Sequence, residues 1–578
     1  MSIASLLSHE RPNPARAKVQ WGVEIATRDG IKLSGILYEP LDRTCPTPVI
    51  VTVTPYVSQR YHDIGLLFAA AGFVYLVVDV RGRGNSKGEF HPPFKEAEDC
   101  YDVIEWLAKQ PCCDGRIAMW GGSYSGYLQW AAAKLLPPNL KTIVPMASPF
   151  RGLDSPAPDN IFMPYRIQWL ALIADRCSQE TIFADQRFWD QQFLRWFKAG
   201  AAFREIDSFL GFPSPIFQEW LAHPSRDAYW DNHGLSADEY RGIVIPTLTI
   251  TGCYDANQRG ALAHYREHQD NTDPVHHKGQ YLVIGPWNHA GIRVPQPEFG
   301  GLKGGRDSLL NLLELNRQWF DWILRGAAKP EFLQKNVAYY VMGAEEWRYC
   351  DTLDAVTAGY TELFLHSQGN PIDVVRSGFL SPVPAPSSGP DHYVYDPRDV
   401  SLGELESTLG QEYWADQKMV YASVGKQLVY HSEPFEADTL VAGFFKFTGW
   451  VSIDQPDTDF KATVYLIDLD GSSIMLATQS LRARYRRSLY EAELIPASKP
   501  LRYDFERFNF IARMIRKGAR LRLVFGPINS IYSEKNYNTG GEVASESVDD
   551  ARTVEVRLYH DGAYPSVLSV PLGGDLPS

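Results

Sequence analysis

A serine flanked by small residues is the feature of this sequence that could carry covalent chemistry. Ser123 lies in the run Gly121-Gly122-Ser123-Tyr124-Ser125-Gly126, directly after the apolar segment Arg116–Trp120. A strand that turns sharply into a helix strains the backbone of such a serine and exposes its hydroxyl, as acyl transfer requires. The usual pattern has glycine two positions after the serine, whereas here Ser125 occupies that position and the glycine is Gly126. The motif alone is equally typical of a Gly/Ser turn that closes a strand.

An aspartate and a histidine follow two later apolar runs, where the partners of a serine nucleophile are expected. A serine nucleophile needs a general base and an acid that orients the base, and α/β-hydrolases carry them in the chain order Ser, Asp or Glu, His. Asp255 follows the predicted strand Thr247–Thr251, and His289 follows the predicted strand Tyr281–Ile284. Singly, Asp255 is also typical of a helix cap and His289 of an ordinary loop. Together, past the carboxyl ends of parallel strands, they predict a Ser–His–Asp triad.

The elements that must position these residues are predicted by a change of hydrophobic pattern. Val23–Thr27 and Ile31–Tyr38 flank an Asp-Gly turn and predict an opening hairpin. Later runs are apolar on both faces, which is typical of parallel strands covered by helices. These runs are Pro48–Thr54, Phe73–Val80, Arg116–Gly121, Thr142–Ala147, Thr247–Thr251 and Tyr281–Ile284. Ile64–Ala71 and Ala97–Lys109 have the period and length of helices that alternate with them.

The sequence pattern divides the chain into four segments. Residues 1–148 and 241–332 are predicted to form one α/β core, which the helix Leu309–Leu324 ends. Residues 149–240 lack strands and are rich in Trp and Phe, so we predict a helical cap there. Residues 333–578 are predicted to be all-β, because short alternating runs recur between turns. These runs are Val337–Met342, Glu362–His366, Leu428–His431, Leu440–Phe447, Lys461–Ile467 and Val554–Tyr559.

The composition is that of a globular chain with an acidic balance. Of 578 residues, 44% are apolar and 22% are charged, and the formal net charge is −13. This charge argues against non-specific binding to nucleic acid or anionic membranes. No apolar run is long enough for a membrane span, and residues 1–20 lack the apolar core of a signal peptide. The seven cysteines lack the spacing of a disulfide or zinc framework. We therefore expect a cytoplasmic protein that holds no metal and no cofactor.

Further motifs lie along nearly the whole chain. They are Pro55-Tyr56, Asp79–Gly82, Ser86–Phe90, Cys113–Ile117, His223–Ser225, Tyr229-Trp230, Tyr254-Asp255, Gly285–His289, Met342-Gly343, Glu346-Trp347, Asp457–Phe460 and Leu481–Arg486. With these motifs the sequence resembles the CocE/NonD family of α/β-hydrolases, which is related to X-Pro dipeptidyl-peptidases and α-amino acid ester hydrolases. The resemblance implies an α/β-hydrolase core with an inserted helical cap, followed by an all-β jelly-roll domain of the galactose-binding type.

The resemblance also implies a role for each candidate residue. Ser123 is the nucleophile, His289 the base and Asp255 the acid that orients it. The oxyanion hole combines the backbone N–H of Tyr124 with the phenol of Tyr56. Each of two donors aimed at the developing alkoxide contributes on the order of 3 kcal/mol to transition-state stabilisation. By its position alone, Tyr56 is also typical of a residue that caps the end of a strand.

Two residues after Asp255 differ from those of the α-amino acid ester hydrolases. In those relatives, acidic residues two and three positions after the catalytic aspartate help to bind the α-ammonium group of the substrate. Here these positions are the neutral Asn257 and Gln258. Asp154 and Asp159, near the start of the predicted cap, are the remaining acidic candidates for such a role.

These observations predict a serine hydrolase that cleaves a carboxylic ester through an acyl-enzyme intermediate. Two alternatives keep the same triad: an amidase or peptidase, and an acyltransferase. A third, from another class, is a non-catalytic carbohydrate-binding protein whose β-sandwich binds the ligand. The expected partner is a small-molecule ester or amide substrate, and large jelly-roll hydrolases of this kind also suggest a homo-oligomer.

Overall fold

The hairpin predicted around the Asp-Gly turn forms one edge of the first sheet. The computed structural model describes residues 16–386 and 389–574. β1 (Ala17–Ala26) pairs antiparallel with β2 (Lys32–Pro40) across a turn in which Gly30 has a φ of 83°. A positive φ at this position is the conformation for which glycine is favoured. β2 in turn pairs antiparallel with the parallel part of the sheet.

The predicted parallel strands form the centre of this sheet. They are β3 (Thr47–Thr54), β4 (Val74–Asp79), β5 (Cys113–Gly122), β6 (Leu140–Met146), β7 (Thr247–Tyr254) and β8 (Gln280–Asn288). In the sheet their order is β4-β3-β5-β6-β7-β8, and each neighbouring pair is parallel. Three helices connect the first of them: α1 (His62–Ala70), α2 (Glu96–Leu107) and α3 (Tyr124–Ala133). This arrangement brings the carboxyl ends of β5, β7 and β8 to the same edge.

The segment between β6 and β7 is a set of short helices. They are α4 (Tyr165–Leu172), α5 (Glu180–Ala184), α6 (Gln186–Ala199), α7 (Ile206–Phe209), α8 (Pro215–Leu221), α9 (Ala228–Asn232) and α10 (Ala237–Gly242). Their apolar side chains share one buried cluster with α2 and α3, as the aromatic content of the predicted cap indicated. Trp189, Phe193 and Phe217 are fully buried in that cluster. The helical cap therefore packs directly on the layer of helices that carries the Ser123 turn.

The first sheet extends beyond the boundary predicted at residue 332. After α11 (Gln258–Asn271), α12 (Pro274–His277), the small hairpin β9 (Glu298–Phe299) with β10 (Leu302–Lys303), and α13 (Leu312–Arg325), the chain forms β11 (Val337–Val341) and β12 (Glu346–Cys350).

β11 pairs parallel with β8, so the prediction that Val337–Met342 opens the all-β region was wrong. The pattern of this run shows burial on both faces but carries no information about which sheet the strand joins. The domain boundary at residue 332 itself stays a prediction.

The later strands form a second, all-β sheet system around its own core. They are β13 (Thr357–His366), β14 (Gly378–Ser381), β15 (Asp391–Tyr395), β16 (Leu428–Ser432), β17 (Thr439–Phe444), β18 (Lys446–Ile453), β19 (Asp459–Ile467), β20 (Ser473–Arg482), β21 (Leu501–Phe505), β22 (Phe510–Ile515), β23 (Arg520–Pro527), β24 (Val554–Tyr559) and β25 (Val567–Gly573). Two helices interrupt them, α14 (Gly403–Leu409) and α15 (Lys418–Ala422). We call this unit the β-domain.

One predicted strand of the β-domain is two strands in the structure. The run Leu440–Phe447 divides between β17, which ends at Phe444, and β18, which begins at Lys446; near the end of β17, Gly443 has a φ of 125°. A β-carbon at Gly443 would lie 2.0 Å from the Thr357 Oγ1 atom. The close approach therefore requires glycine. β17 pairs with β22 and β18 pairs with β24, and both strands also pair with β25.

The β-domain packs on the strand that precedes Asp255. Cys253 and Tyr254 of β7 belong to the same buried apolar cluster as the β-domain core. Gln258 at the start of α11 exchanges two hydrogen bonds with the backbone of Phe510, of 2.9 and 2.7 Å. In the part of the chain that the structure describes, no helix is long and apolar enough to cross a membrane, and no three His, Cys, Asp or Glu side chains group as a metal site would need.

Candidate active site

Ser123 lies in a sharp turn between β5 and α3, in a backbone conformation that few residues other than glycine adopt. Its φ is 61° and its ψ is −125°, outside the regions that suit most L-residues. Before it, Gly121 has a φ of 149°. A β-carbon on Gly126 would lie 2.8 Å from the Met146 carbonyl oxygen. The glycine displaced to position 126 therefore allows α3 to approach β6, and the turn has the form of a nucleophile elbow.

Tyr56 presents its phenol to the Ser123 hydroxyl. The Tyr56 Oη donates to Ser123 Oγ at 3.4 Å, and Trp169 of the cap donates through Nε1 to the same phenol oxygen at 3.4 Å. The backbone of Tyr56 is held at both ends, because its N–H donates to Thr54 Oγ1 at 3.1 Å and its carbonyl accepts from Ser178 Oγ at 2.8 Å. The phenol is thus positioned by β3 on one side and by the cap on the other.

The side chain of Tyr124 is buried against its neighbours, whereas its backbone N–H faces a different part of the site. Its phenol donates to the Glu96 Oε1 atom at 2.6 Å, and its ring stacks on that of Trp169 with 5.7 Å between centroids. Burial raises the pKa of Glu96 and holds the pKa of Tyr124 well above its ordinary value. The Tyr124 N–H lies in the first turn of α3, where no earlier turn supplies a carbonyl acceptor. It is therefore available to a ligand at Ser123.

Asp255 and His289 meet at the carboxyl ends of β7 and β8. The His289 Nδ1 and Asp255 Oδ1 atoms are 2.7 Å apart. The other carboxylate oxygen accepts from Thr251 Oγ1 at 2.9 Å, and Oδ1 also accepts the Asn257 N–H at 3.0 Å. The Asp255 side chain is fully buried, whereas 27% of the His289 side chain is exposed. An ionised carboxylate only accepts hydrogen bonds, so the Nδ1 atom of His289 must be the donor in this contact. His289 therefore carries its proton on Nδ1 and presents the lone pair of Nε2 outward.

The structure brings the candidate residues together in two pairs. Tyr56 contacts Ser123, and Asp255 contacts His289, at one edge of the first sheet. Among the described residues, no hydrogen bond joins His289 to Ser123. Contacts between a base and its nucleophile are often long without substrate and tighten in the substrate complex.

A glutamate of the β-domain, which sequence reasoning missed, borders the base. Asn288, immediately before His289, donates through Nδ2 to both carboxylate oxygens of Glu412, at 3.1 and 2.9 Å. Asn288 Oδ1 also accepts the Gly291 N–H at 2.9 Å, so Asn288 links the residues before and after His289. Burial raises the pKa of Glu412. No local motif marks Glu412, because only the packing of the β-domain brings it to β8.

The two cap aspartates considered for substrate binding have other partners. Asp154 accepts the backbone N–H groups of Phe150 and Gly260, at 2.8 and 2.7 Å. Asp159 accepts both terminal nitrogens of Arg259 at 2.8 Å, and Arg507 Nε at 2.9 Å. Both carboxylates are buried. They hold the cap to α11 and to the β-domain, so neither is placed to bind a substrate ammonium group.

Comparisons with known proteins cover most of the chain. The model of the X-Pro dipeptidyl-peptidase (S15 family) matches residues 29–291, and that of the X-Pro dipeptidyl-peptidase C-terminal non-catalytic domain matches residues 332–569. Cocaine esterase from Rhodococcus sp. (strain MB1 Bresler) is 27% identical over 577 residues, which are 95% of this chain and 98% of that protein. The chain is thus built from the two domains of the X-Pro dipeptidyl-peptidase type (S15 family). As a member of this family it is a serine-type esterase or hydrolase, so the predicted enzyme class is confirmed and the carbohydrate-binding alternative is set aside.

Solved structures of CocE/NonD-like proteins have the same fold. An α-amino acid ester hydrolase labelled with selenomethionine superposes with a TM-score of 0.83 at 20% identity, covering 96% of this chain and 97% of that chain. A CocE/NonD family hydrolase from Staphylococcus aureus superposes with a TM-score of 0.67 at 18% identity, covering 96% and 94%. The predicted fold class, an α/β-hydrolase core with a cap and an all-β jelly-roll domain, is confirmed.

Proposed function

We propose that this protein cleaves a carboxylic ester through a triad of Ser123, His289 and Asp255 and an acyl-enzyme intermediate. The observation that carries the proposal is the 2.7 Å contact between His289 Nδ1 and the buried Asp255 carboxylate, at the sheet edge where the strained Ser123 turn lies. This contact orients the imidazole with its Nε2 atom as acceptor. A serine hydroxyl is a weak nucleophile until such a base removes its proton.

In the acylation step, Ser123 Oγ forms a bond to the ester carbonyl carbon while its proton passes to His289 Nε2. The imidazolium that results is stabilised by the Asp255 carboxylate, which stays ionised. The carbonyl π electrons move onto oxygen and give a tetrahedral oxyanion. When the C–O bond to the alcohol breaks, His289 returns the proton to the leaving oxygen, and the acyl group remains on Ser123.

The oxyanion of this intermediate faces two donors. Tyr56 Oη already lies 3.4 Å from Ser123 Oγ, and the Tyr124 N–H belongs to the residue that follows the nucleophile. Donors fixed before the reaction stabilise the charge that develops in the transition state and need no reorganisation. The same donors serve deacylation, in which His289 Nε2 takes a proton from water while the water oxygen attacks the acyl carbon. The bond between that carbon and Ser123 Oγ then breaks, His289 returns the proton to Oγ, and the carboxylic acid is released.

The surroundings of the triad favour an ester over a peptide substrate with a free α-ammonium group. Asn257 and Gln258 are neutral, and the Gln258 amide is engaged by backbone groups of β7 and Phe510. Asp154 and Asp159 are committed to the contacts described above. The relative cocaine esterase is named as an esterase. Amidase, peptidase and acyltransferase activities use the same triad and differ only in the leaving group or the acceptor.

Labelling with a fluorophosphonate tests the proposal directly. The folded protein is expected to form one covalent phosphonate adduct on the peptide that contains Ser123, because only an activated serine displaces the fluoride. Ser123→Ala should abolish the adduct, whereas Ser125→Ala, which removes a buried hydroxyl two residues away, should retain it. Mass spectrometry of the digested protein identifies the site. An unlabelled Ser123, or hydrolysis of only the amide in a matched ester and amide pair, would contradict the proposal.

Tyr56→Phe is expected to lower kcat about 10²- to 10³-fold, the effect of removing one oxyanion donor. KM should change little, because the ground-state carbonyl accepts a weaker hydrogen bond than the oxyanion does. Steady-state hydrolysis of one ester by both proteins measures the effect. Tyr421→Phe, at an exposed tyrosine of α15, is the matched control and should leave kcat unchanged. A Tyr56→Phe enzyme with the kcat of the original protein would remove Tyr56 from the oxyanion hole.

A further inference from the structure

Arg293 stands beside the candidate nucleophile, and among the described residues its guanidinium group has no hydrogen-bond or ion-pair partner. It lies in the loop after His289, where its N–H donates to the Ala290 carbonyl at 3.2 Å, and its side chain is exposed. A β-carbon added to Gly122, the residue before Ser123, would lie 3.7 Å from Arg293 Nε. The arginine side chain therefore packs against the elbow itself.

The acidic groups around the triad are already engaged. Asp255 is held by His289, Thr251 and Asn257, and Glu412 is held by Asn288. In the described ranges, no carboxylate lies within ion-pair distance of Arg293 and no acceptor oxygen takes a hydrogen bond from its guanidinium. Within the described part of the chain, the positive charge next to the nucleophile is thus not neutralised.

The wall of the site behind Arg293 adds a second positive charge. Arg166 at the start of α4 donates to the carbonyl oxygens of Pro156 and Asp154, at 2.6 and 3.1 Å. Burial lowers the pKa of Arg166 to about 10, and the nearby Asp154 carboxylate opposes that shift. Burial raises the pKa of Tyr165 to about 12, against the opposing influence of Arg166 and Arg293. A negative charge brought to this wall meets the charges of Arg293 and Arg166, of which Arg166 also interacts with the buried Asp154 carboxylate.

We propose that the ester substrate of this enzyme carries a carboxylate group, and that Arg293 binds this group beside Ser123. The inference rests on the proposed ester hydrolysis at Ser123. A guanidinium presents N–H donors in a planar fork that matches the two oxygens of a carboxylate. Gly122 leaves room for the arginine next to the elbow, so the carboxylate would lie within a few bonds of the scissile carbonyl. Arg293 is then a specificity-determining residue.

Two pairs of esters of matched shape test the inference. Monoethyl glutarate and ethyl pentanoate differ by a carboxylate on the acyl side, and butanoyloxyacetate and propyl butanoate differ by a carboxylate on the alcohol side. We expect kcat/KM to be about 10- to 100-fold higher for the charged member of one pair, as a charge-assisted hydrogen bond would give. The pair that shows the preference identifies the side of the substrate that Arg293 binds.

Variants of Arg293 assign the preference to this residue. In Arg293→Met the ratio of kcat/KM between charged and neutral esters should fall to about one, and Arg293→Lys should keep part of it because the charge remains. Arg293→Glu should instead favour the cationic ester ethyl 4-(trimethylammonio)butanoate over ethyl pentanoate. Arg552→Gln, which removes an exposed arginine of the β-domain, should keep the original ratio. Each ratio is measured on one preparation, so a loss of folded enzyme cancels.

The inference is overturned if the original protein shows no preference in either pair, or if the preference survives in Arg293→Met. These outcomes differ from a failure of the proposed function. An enzyme that is labelled at Ser123 and hydrolyses both members of each pair equally retains the ester mechanism and loses only the carboxylate site. A protein that hydrolyses none of the esters and is not labelled contradicts the proposed function itself.

Discussion

His289→Ala is expected to lower kcat for ester hydrolysis about 10⁶-fold, the effect of removing the general base from a serine triad. Without the imidazole, no group takes the proton of Ser123 during attack, and none returns it to the leaving alcohol. The expected loss falls on kcat rather than KM, because proton transfer belongs to the transition state. Hydrolysis of an activated ester under saturating substrate measures it.

The matched control for this variant is His276→Ala, at a half-buried histidine of α12. It should retain the original kcat, and both variants should keep the thermal melting temperature of the original protein to within a few degrees. The rate of fluorophosphonate labelling at Ser123 should fall together with kcat in His289→Ala. If His289→Ala hydrolysed esters at an undiminished rate, the base would be another residue.

Asp255→Asn is expected to lower kcat about 10⁴-fold. The substitution keeps the size of the side chain, but its amide nitrogen can donate toward His289 Nδ1, which favours the tautomer with the proton on Nε2. That tautomer cannot accept the Ser123 proton. The variant also lacks the charge that stabilises the imidazolium. With the amide nitrogen at the Oδ1 position, the Asn257 N–H loses its acceptor, whereas Thr251 Oγ1 can still donate to the amide oxygen at the Oδ2 position.

Asp270→Asn is the matched control, at an exposed aspartate on α11, the helix that follows the Asp255 loop. It should have the original kcat and KM. The effect of Asp255→Asn should also be smaller than that of His289→Ala, since the imidazole remains present. Equal activity of Asp255→Asn and the original protein would show that Asp255 only stabilises the loop.

The β-domain reaches the catalytic edge of the first sheet at two points. Glu412 binds Asn288, which precedes the proposed base. Trp414 packs against Tyr254, which precedes the proposed acid, with the two rings tilted and 5.0 Å between their centroids. The Tyr254 phenol also donates to the Met475 carbonyl at 3.1 Å. The residues before Asp255 and His289 are thus held from outside the α/β core.

Much of the α/β core could be predicted from the local hydrophobic pattern of the sequence. The runs Thr247–Thr251 and Tyr281–Ile284 form the interiors of β7 and β8, because a strand buried on both faces needs a continuous apolar run. The elbow at Ser123 was also visible, since only small residues allow its φ of 61° and the approach of α3 to β6. Asp255 and His289 were found by chain order and by their place after these strands.

Other features, such as strand partners and ion-pair partners, depended on contacts between elements that are far apart in the chain. β11 joined the first sheet rather than the β-domain, because the chain returns through α13 to the open edge of β8. Asp154 and Asp159 look like free acidic residues in the sequence, yet they bind Gly260, Arg259 and Arg507, which are distant along the chain. Such partners follow from packing and leave no local motif.

The sequence by itself therefore determined the class of this protein, because a strained turn, a buried strand and the order of Ser, Asp and His are local requirements of the hydrolase fold. The tertiary structure decided the surroundings of these residues: Tyr56 and Trp169 at Ser123, Glu412 behind the His289 loop, and Arg293 at the elbow. Charges and hydrogen-bond partners come from elements far apart in the chain, and only folding brings them within a few ångströms.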